Sequence, residues 1–156
     1  MDNERLSSID TAGIPSLGVA NPNLYTLSDK DVQVVHLHGE KELHVFPAPR
    51  EGEAGGTDYV VTAYTEELTS LCPVTGQPDF CKLTIEYIPE GWCVELKSLK
   101  FYVVSFRNEG HFYEELVNQI YGDIYKSILP KQLYIKGEFN SRGGIPETVE
   151  VGVHLP

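Results

Sequence analysis

The stretch "TSLCPVTGQPDF", residues 69–80, puts a thiol, Cys72, and a carboxyl, Asp79, into one short segment punctuated by Pro73, Gly76 and Pro78. Those three residues set a turn, and turns hold reactive groups at a cleft better than strand interiors do. A free cysteine is more often a small buried hydrophobe than a nucleophile. For the thiolate to dominate near neutral pH, its surroundings must lower a thiol pKa that is ordinarily about 8.5. An ionised Asp79 would not help with that. A protonated Asp79, in a desolvated setting, would instead donate to whatever the sulfur attacks. Residue types and spacing therefore leave two readings open: a nucleophile with its proton donor, or a small buried residue beside a turn cap.

Other groups capable of chemistry lie further along. "ELKSLK" places Glu95, Lys97 and Lys100 at the start of an expected helix, where two lysines three residues apart share a side and suit either a solvated face or a phosphate. "SRGG" puts Arg142 beside Gly143 and Gly144, which lets a ligand approach the backbone closely or simply makes a turn. Glu114 and Glu115 open a second expected helix and complement its dipole. A carboxylate there is also a good acceptor for paired N–H donors of a guanine-like ring. No G-x-G-x-x-G follows a strand, so a Rossmann nucleotide site is not indicated. His36 and His38 in "HLH" would share one face of a strand, but two ligands without a third do not make a metal site.

The elements that must position these groups are legible from periodicity. "TDYVVTAYTEEL" is rich in β-branched and aromatic residues, and "CKLTIEYIP" alternates Leu83, Ile85 and Tyr87 against Lys82, Thr84 and Glu86. "ELKSLKFYVVSFR" repeats Leu96, Leu99, Val103 and Phe106 near helical spacing. "HFYEELVNQIYGDIYKSIL" does the same with Phe112, Leu116, Ile120, Ile124 and Ile128. "QLYIKGEF" and "TVEVGVHL" return to period two. The order is ββααββ, an α+β fold with an antiparallel sheet and two helices on one face. Residues 1–56 read as an N-terminal arm with short strands in "DVQVVHLHGEKELHVFPAP" and a Gly-rich linker, "PREGEAGGT". Residues 57–156 read as the main folded domain, the one that carries the thiol, carboxyl and cationic groups named above.

At 156 residues the chain is about one domain long. A net charge of −11 repels a phosphate backbone, which disfavours direct nucleic-acid binding but leaves room for a small anion held by a few cations. No apolar run approaches the roughly 18–20 residues of a membrane span. The polar, acidic start "MDNERLSSID" is unlike a secretory leader, and three cysteines are too few and too odd for a disulfide framework. A cytoplasmic protein with reduced thiols is the expectation.

Taken together, "TSLCPVTGQPDF", "YIPEGWCVELKSLKFY", "SFRNEGHFYEE" and "GEFNSRGGI" resemble, in order and spacing, the NADPH-dependent 7-cyano-7-deazaguanine reductases, nitrile reductases of queuosine biosynthesis, a tRNA modification. The resemblance spans about Glu67 to Ile145. It implies the tunnelling fold, NADPH as cofactor, no metal, and a homo-oligomer of two stacked pentamers with active sites between neighbours. It implies Cys72 as the nucleophile that forms a thioimide with the nitrile, and Asp79 as the proton donor. It places Glu114 and Tyr113, with Val94, Glu95 and Leu96, on the substrate side, and Lys97, Lys100, Arg142 and Gly143 on the cofactor side. Where the family usually reads Phe-His-Glu, this chain reads Phe112-Tyr113-Glu114, exchanging a group that titrates near neutrality for one that mainly donates a hydrogen bond. Leu96 replaces a common serine. Alternatives are a related amidinotransferase that resolves the same thioimide with an amine on tRNA, another tunnelling-fold enzyme such as a zinc-dependent GTP cyclohydrolase, and a catalytically silent binding module.

Overall fold

The strict alternation around Leu83, Ile85 and Tyr87 becomes the central strand of a sheet. In the computed structural model, which describes residues 31–49 and 57–155, the strands are β1 (Gln33–His36), β2 (Glu42–Pro47), β3 (Val61–Leu71), β4 (Pro78–Ile88), β5 (Trp92–Val94), β6 (Gln132–Arg142) and β7 (Ile145–Gly152). Two helices, α1 (Leu96–Ser105) and α2 (Tyr113–Ile128), stand between β5 and β6. The main sheet is antiparallel in the order β3-β4-β6-β7, and a small sheet has the order β1-β2-β5. The fold is α+β with the expected strand-strand-helix-helix-strand-strand succession.

One face of the main sheet carries the core. Cys81, Leu83, Ile85 and Tyr87 of β4 are buried, as are Leu133, Ile135 and Phe139 of β6. The stripe Leu116, Ile120, Ile124 and Ile128 of α2 covers them, each at most 1% exposed. Burying one such side chain contributes on the order of 1.5–3 kcal/mol, so this stripe does more to hold α2 than helix propensity does. Gly137 sets the close approach of α2 to β6, since a Cβ there would lie 2.7 Å from Val117 Cγ2 and 3.3 Å from Cys81 Sγ. The helix stops where Leu129 turns left-handed (φ 42°) and Pro130 follows.

Helix α1 begins at Glu95, whose carboxylate accepts hydrogen bonds from the backbone N–H groups of Lys97 and Ser98 at 2.8 Å. Its inner side buries Leu99, Tyr102 and Val103. Two members of the expected apolar stripes lie outside them: Leu96 is 71% exposed and Phe112 58%. Both sit at a helix start, where the chain is still entering and the inward direction is not yet established.

The segment expected to hold short strands contains β1 and β2. Strand β2 pairs with β5 in the register Val45↔Val94, Phe46↔Cys93, Pro47↔Trp92, and Leu43 and Val45 join the core. His36 and His38 do not share a strand face, because β1 ends at His36 and His38 opens a short 3-10 turn, His38–Glu40. The stretch 1–30 and the linker residues 50–56 lie outside the described residues.

Candidate active site

The β3–β4 hairpin brings Cys72 to Asp79. In its register Ser70 stands opposite Asp79 and Leu71 opposite Pro78. Beyond the strand end the pairing continues, with Cys72 N–H donating to the Gln77 carbonyl and Gly76 N–H to the Cys72 carbonyl, both at 2.8 Å. Side chains two apart share a sheet face, so Ser70 and Asp79 lie on the buried side, and Cys72, half-buried just past the strand end, lies on the diagonal from Asp79. Gly76 has φ +70°, a left-handed value that glycine takes without strain.

Around the sulfur, the Thr75 hydroxyl is the main cause holding the Cys72 thiol below its ordinary pKa. The Thr75 and Val74 backbone groups add to it, partial burial opposes it, and the Arg142 charge contributes least. Asp79 is 3% exposed. Its Oδ1 receives the Tyr113 hydroxyl at 2.5 Å and faces Arg142 Nε at 2.5 Å. Burial, followed by the bond to Asp79, pushes Tyr113 up to about 12, so it remains a neutral donor across the physiological range. The Tyr113 ring stacks on Phe139 with centroids 3.8 Å apart and planes 5° from parallel, which fixes the direction of its hydroxyl.

Arg142 does more than face Asp79. Its Nη2 donates to the carbonyls of Gln77 and Pro78 at 3.1 and 3.0 Å, and its Nη1 to Gln77 Oε1 at 3.3 Å. It reaches these groups from the end of β6, where Arg142 pairs with Ile145 across the two-residue turn Gly143-Gly144, with φ +58° and +83°. The tips of two hairpins are thereby tied at one end of the sheet.

Four of the expected site residues, Cys72, Asp79, Tyr113 and Arg142, thus form one cluster. Tyr113 and Arg142, expected on the substrate and cofactor sides, both hold Asp79 here. Glu114 is exposed at the first turn of α2, and its carboxylate makes no hydrogen bond or ion pair among the described residues. Glu95, Leu96, Lys97 and Lys100 line a separate apolar groove of ≈ 540 Å³ between α1 and β3, with Lys97 and Lys100 exposed. Val94 ends β5 and donates its N–H to the Tyr87 hydroxyl at 3.2 Å. Two contributors escaped sequence reasoning. Thr75, three residues after the cysteine within a turn, was signalled only by turn chemistry. Ser70 was signalled by period two; its hydroxyl is buried and has no partner among the described residues.

The sequence pattern of the QueF-like protein family matches residues 78–155. An NADPH-dependent 7-cyano-7-deazaguanine reductase of Thermomicrobium roseum is 45% identical over 109 residues, covering 70% of this chain and 82% of the relative. The chain belongs to the QueF-like family. Another reductase of that name, from Halorhodospira halophila, is 52% identical over 97 residues, or 62% of this chain and 82% of the relative. Among solved structures, the apo archaeosine synthase QueF-Like superposes with a TM-score of 0.53 at 25% identity, covering 62% of this chain and 96% of that one. The QueF-like fold, the tunnelling fold, accounts for the helix-covered antiparallel sheet described above.

Proposed function

We propose that this QueF-like chain reduces the nitrile of 7-cyano-7-deazaguanine to the aminomethyl group with NADPH, through a covalent thioimide on Cys72. The observation that carries the reading is the joint placement of a pKa-lowered thiol and a buried, doubly held carboxyl on one face of one hairpin. A nitrile carbon is electrophilic but resists direct reduction. Addition of the Cys72 thiolate forms the S–C bond and opens one C–N π bond, splitting a difficult step into easier ones. The negative charge then appears on nitrogen, to which Asp79 relays the proton given up by the Cys72 thiol, the Tyr113 hydroxyl keeping that carboxyl aimed. When bound, NADPH supplies hydride, and converting a nitrile to an amine takes two. After the first reduction the Cys72–carbon bond breaks, the thiolate departs and an imine remains for the second.

The exposed ammonium groups of Lys97 and Lys100 beside the α1 groove fit the phosphates of such a nucleotide. Arg142 and Gly143 flank the same chemistry from the β6–β7 tip, and Glu114, uncommitted in the described residues, is suited to the ring N–H and amino donors of the deazaguanine. Val94, Glu95 and Leu96 complete the substrate side across a subunit boundary. Support for that boundary comes from the main sheet, in which β3 and β7 are the edge strands among the described residues. Pairing β3 of one copy with β7 of the next closes a ring, and two stacked pentamers are the assembly we assign. Free Cys72, Cys81 and Cys93 support a reducing, cytoplasmic setting.

Incubation with 7-cyano-7-deazaguanine alone, followed by intact-mass analysis, is expected to show one nitrile added to the chain and nothing added to Cys72→Ala. With NADPH present, the nicotinamide absorbance should fall by two equivalents per nitrile. No adduct and no oxidation, with the ring demonstrably bound, would overturn the reading. Tyr113 in place of histidine and the likeness to an archaeosine synthase favour one second reading, in which an amine resolves the thioimide. Ammonia-dependent release of the adduct without NADPH would select it.

A further inference from the structure

Among the described residues, a second convergence of charge lies outside the Asp79 cluster, where the small sheet meets the lead into α2. Lys41, between the 3-10 turn and β2, has a side chain only 4% exposed. Its Nζ donates to Glu109 Oε1 at 2.5 Å and lies 4.7 Å over the Phe106 ring. A buried ammonium is costly unless it is paired and hydrogen-bonded, and Glu109 is the partner recorded for it. The other Glu109 oxygen meets His111 Nε2 at 3.1 Å, and the His111 ring packs edge-on against Phe106.

The backbone of this acid is what reaches the site. Leu71 N–H donates to the Glu109 carbonyl at 2.8 Å, and His111 N–H donates to the Leu71 carbonyl at 3.0 Å. Leu71 immediately precedes Cys72, and Tyr113 and Glu114 follow two and three residues after His111. Between them, a Cβ on Gly110 would lie 3.4 Å from Pro73 Cα, so the segment 109–111 rests directly against the nucleophile turn. One short segment therefore sets the sulfur's turn relative to the start of α2, and Lys41 holds that segment.

We infer that Lys41, acting through Glu109, is a positioning residue for Cys72: a buried ion pair from the N-terminal segment registers the nucleophile turn against the helix that carries Tyr113 and Glu114. The inference rests on Cys72 being the reacting group. Neither Lys41 nor Glu109 touches the sulfur, and within the 57–155 unit Glu109 Oε1 has no other partner among the described residues, His111 meeting Oε2 instead.

The test compares the full-length chain with Lys41→Met, Glu109→Gln, Lys41→Arg and the double variant Lys41→Met/Glu109→Gln. The readout is the iodoacetamide alkylation rate of Cys72 as a function of pH, site-resolved by mass spectrometry, with buried Cys81 and Cys93 as internal references. Each neutralising single variant should change the pH profile of Cys72 alkylation and slow the rate at neutral pH. The rate of nitrile reduction should fall by between about fivefold and a hundredfold, as expected for misplacement of a reacting group. Lys41→Arg should restore most of it, and the double variant should be no worse than the worse single. Alkylation that stays at the parental midpoint while only the melting temperature falls would overturn the inference, as would additive losses in the double variant. Should Lys41→Met fail to fold, Glu109→Gln, at a 37% exposed side chain, tests the same link. Alkylation needs no nitrile, so a chain that shows this pattern yet forms no nitrile adduct would refute the reductase reading and leave the positioning role standing.

Discussion

A single oxygen, Asp79 Oδ1, accepts from Tyr113 and faces Arg142. Tyr113→Phe removes one donor while keeping the stack on Phe139. It should slow reduction by about a hundredfold or less, toward the low end of what a positioned proton donor contributes, while the Cys72 adduct still forms on longer incubation. Single-turnover kinetics with intact-mass sampling separates the two steps. Because the thiol pKa is depressed, the thiolate persists to lower pH than an ordinary cysteine, so Cys72 alkylation should have its midpoint below that of the same segment as an unfolded peptide. Thr75→Val removes the largest cause and should raise that midpoint more than Arg142→Gln, whose charge contributes least. At this scale the sequence marked the candidate reacting residues but not whom they hold. The Asp79–Arg142 contact joins residues 63 positions apart through a hairpin register that no local pattern encodes.

Helices and strands were the most legible part, because the period of a buried face is a local property. The α2 stripe and the alternation in β4 appear where periodicity placed them. What periodicity misplaced were the ends, Leu96 and Phe112, and the "HLH" face, where Gly39 at φ +69° turns the chain before a second strand turn can form. Elements lean on one another through a few buried polar bonds. Tyr102 of α1 donates to Asp123 of α2 at 2.7 Å, with both residues buried. Tyr102→Phe should cost about 1–3 kcal/mol by leaving Asp123 short of its donor, readable as a drop in melting temperature. Gly137→Ala should cost a similar ~1–3 kcal/mol by pushing α2 off β6. Neither substitution touches the Cys72 turn, so the pH midpoint of its alkylation should not move.

For the whole molecule, the two open sheet edges and the groove beside β3 leave the cluster on Asp79 and the lysines of α1 apart within one chain. If they work together, they do so across copies. If the assembly is the two stacked pentamers proposed above, sedimentation should give ten chains, and mixing Cys72→Ala with Lys97→Ala/Lys100→Ala subunits should restore activity that neither homogeneous assembly has. The small sheet has a further bearing on how the unit can be handled. His44 and Ser98 bond reciprocally with the start of α1, Glu95 N–H donates to the His44 carbonyl, and Lys41 plugs the turn that precedes α2. A transplant of residues 57–155 into a chimaera would carry every reactive side chain named here, yet arrive without its keystone. The stretch from Gln33 to Pro47 would have to travel with it.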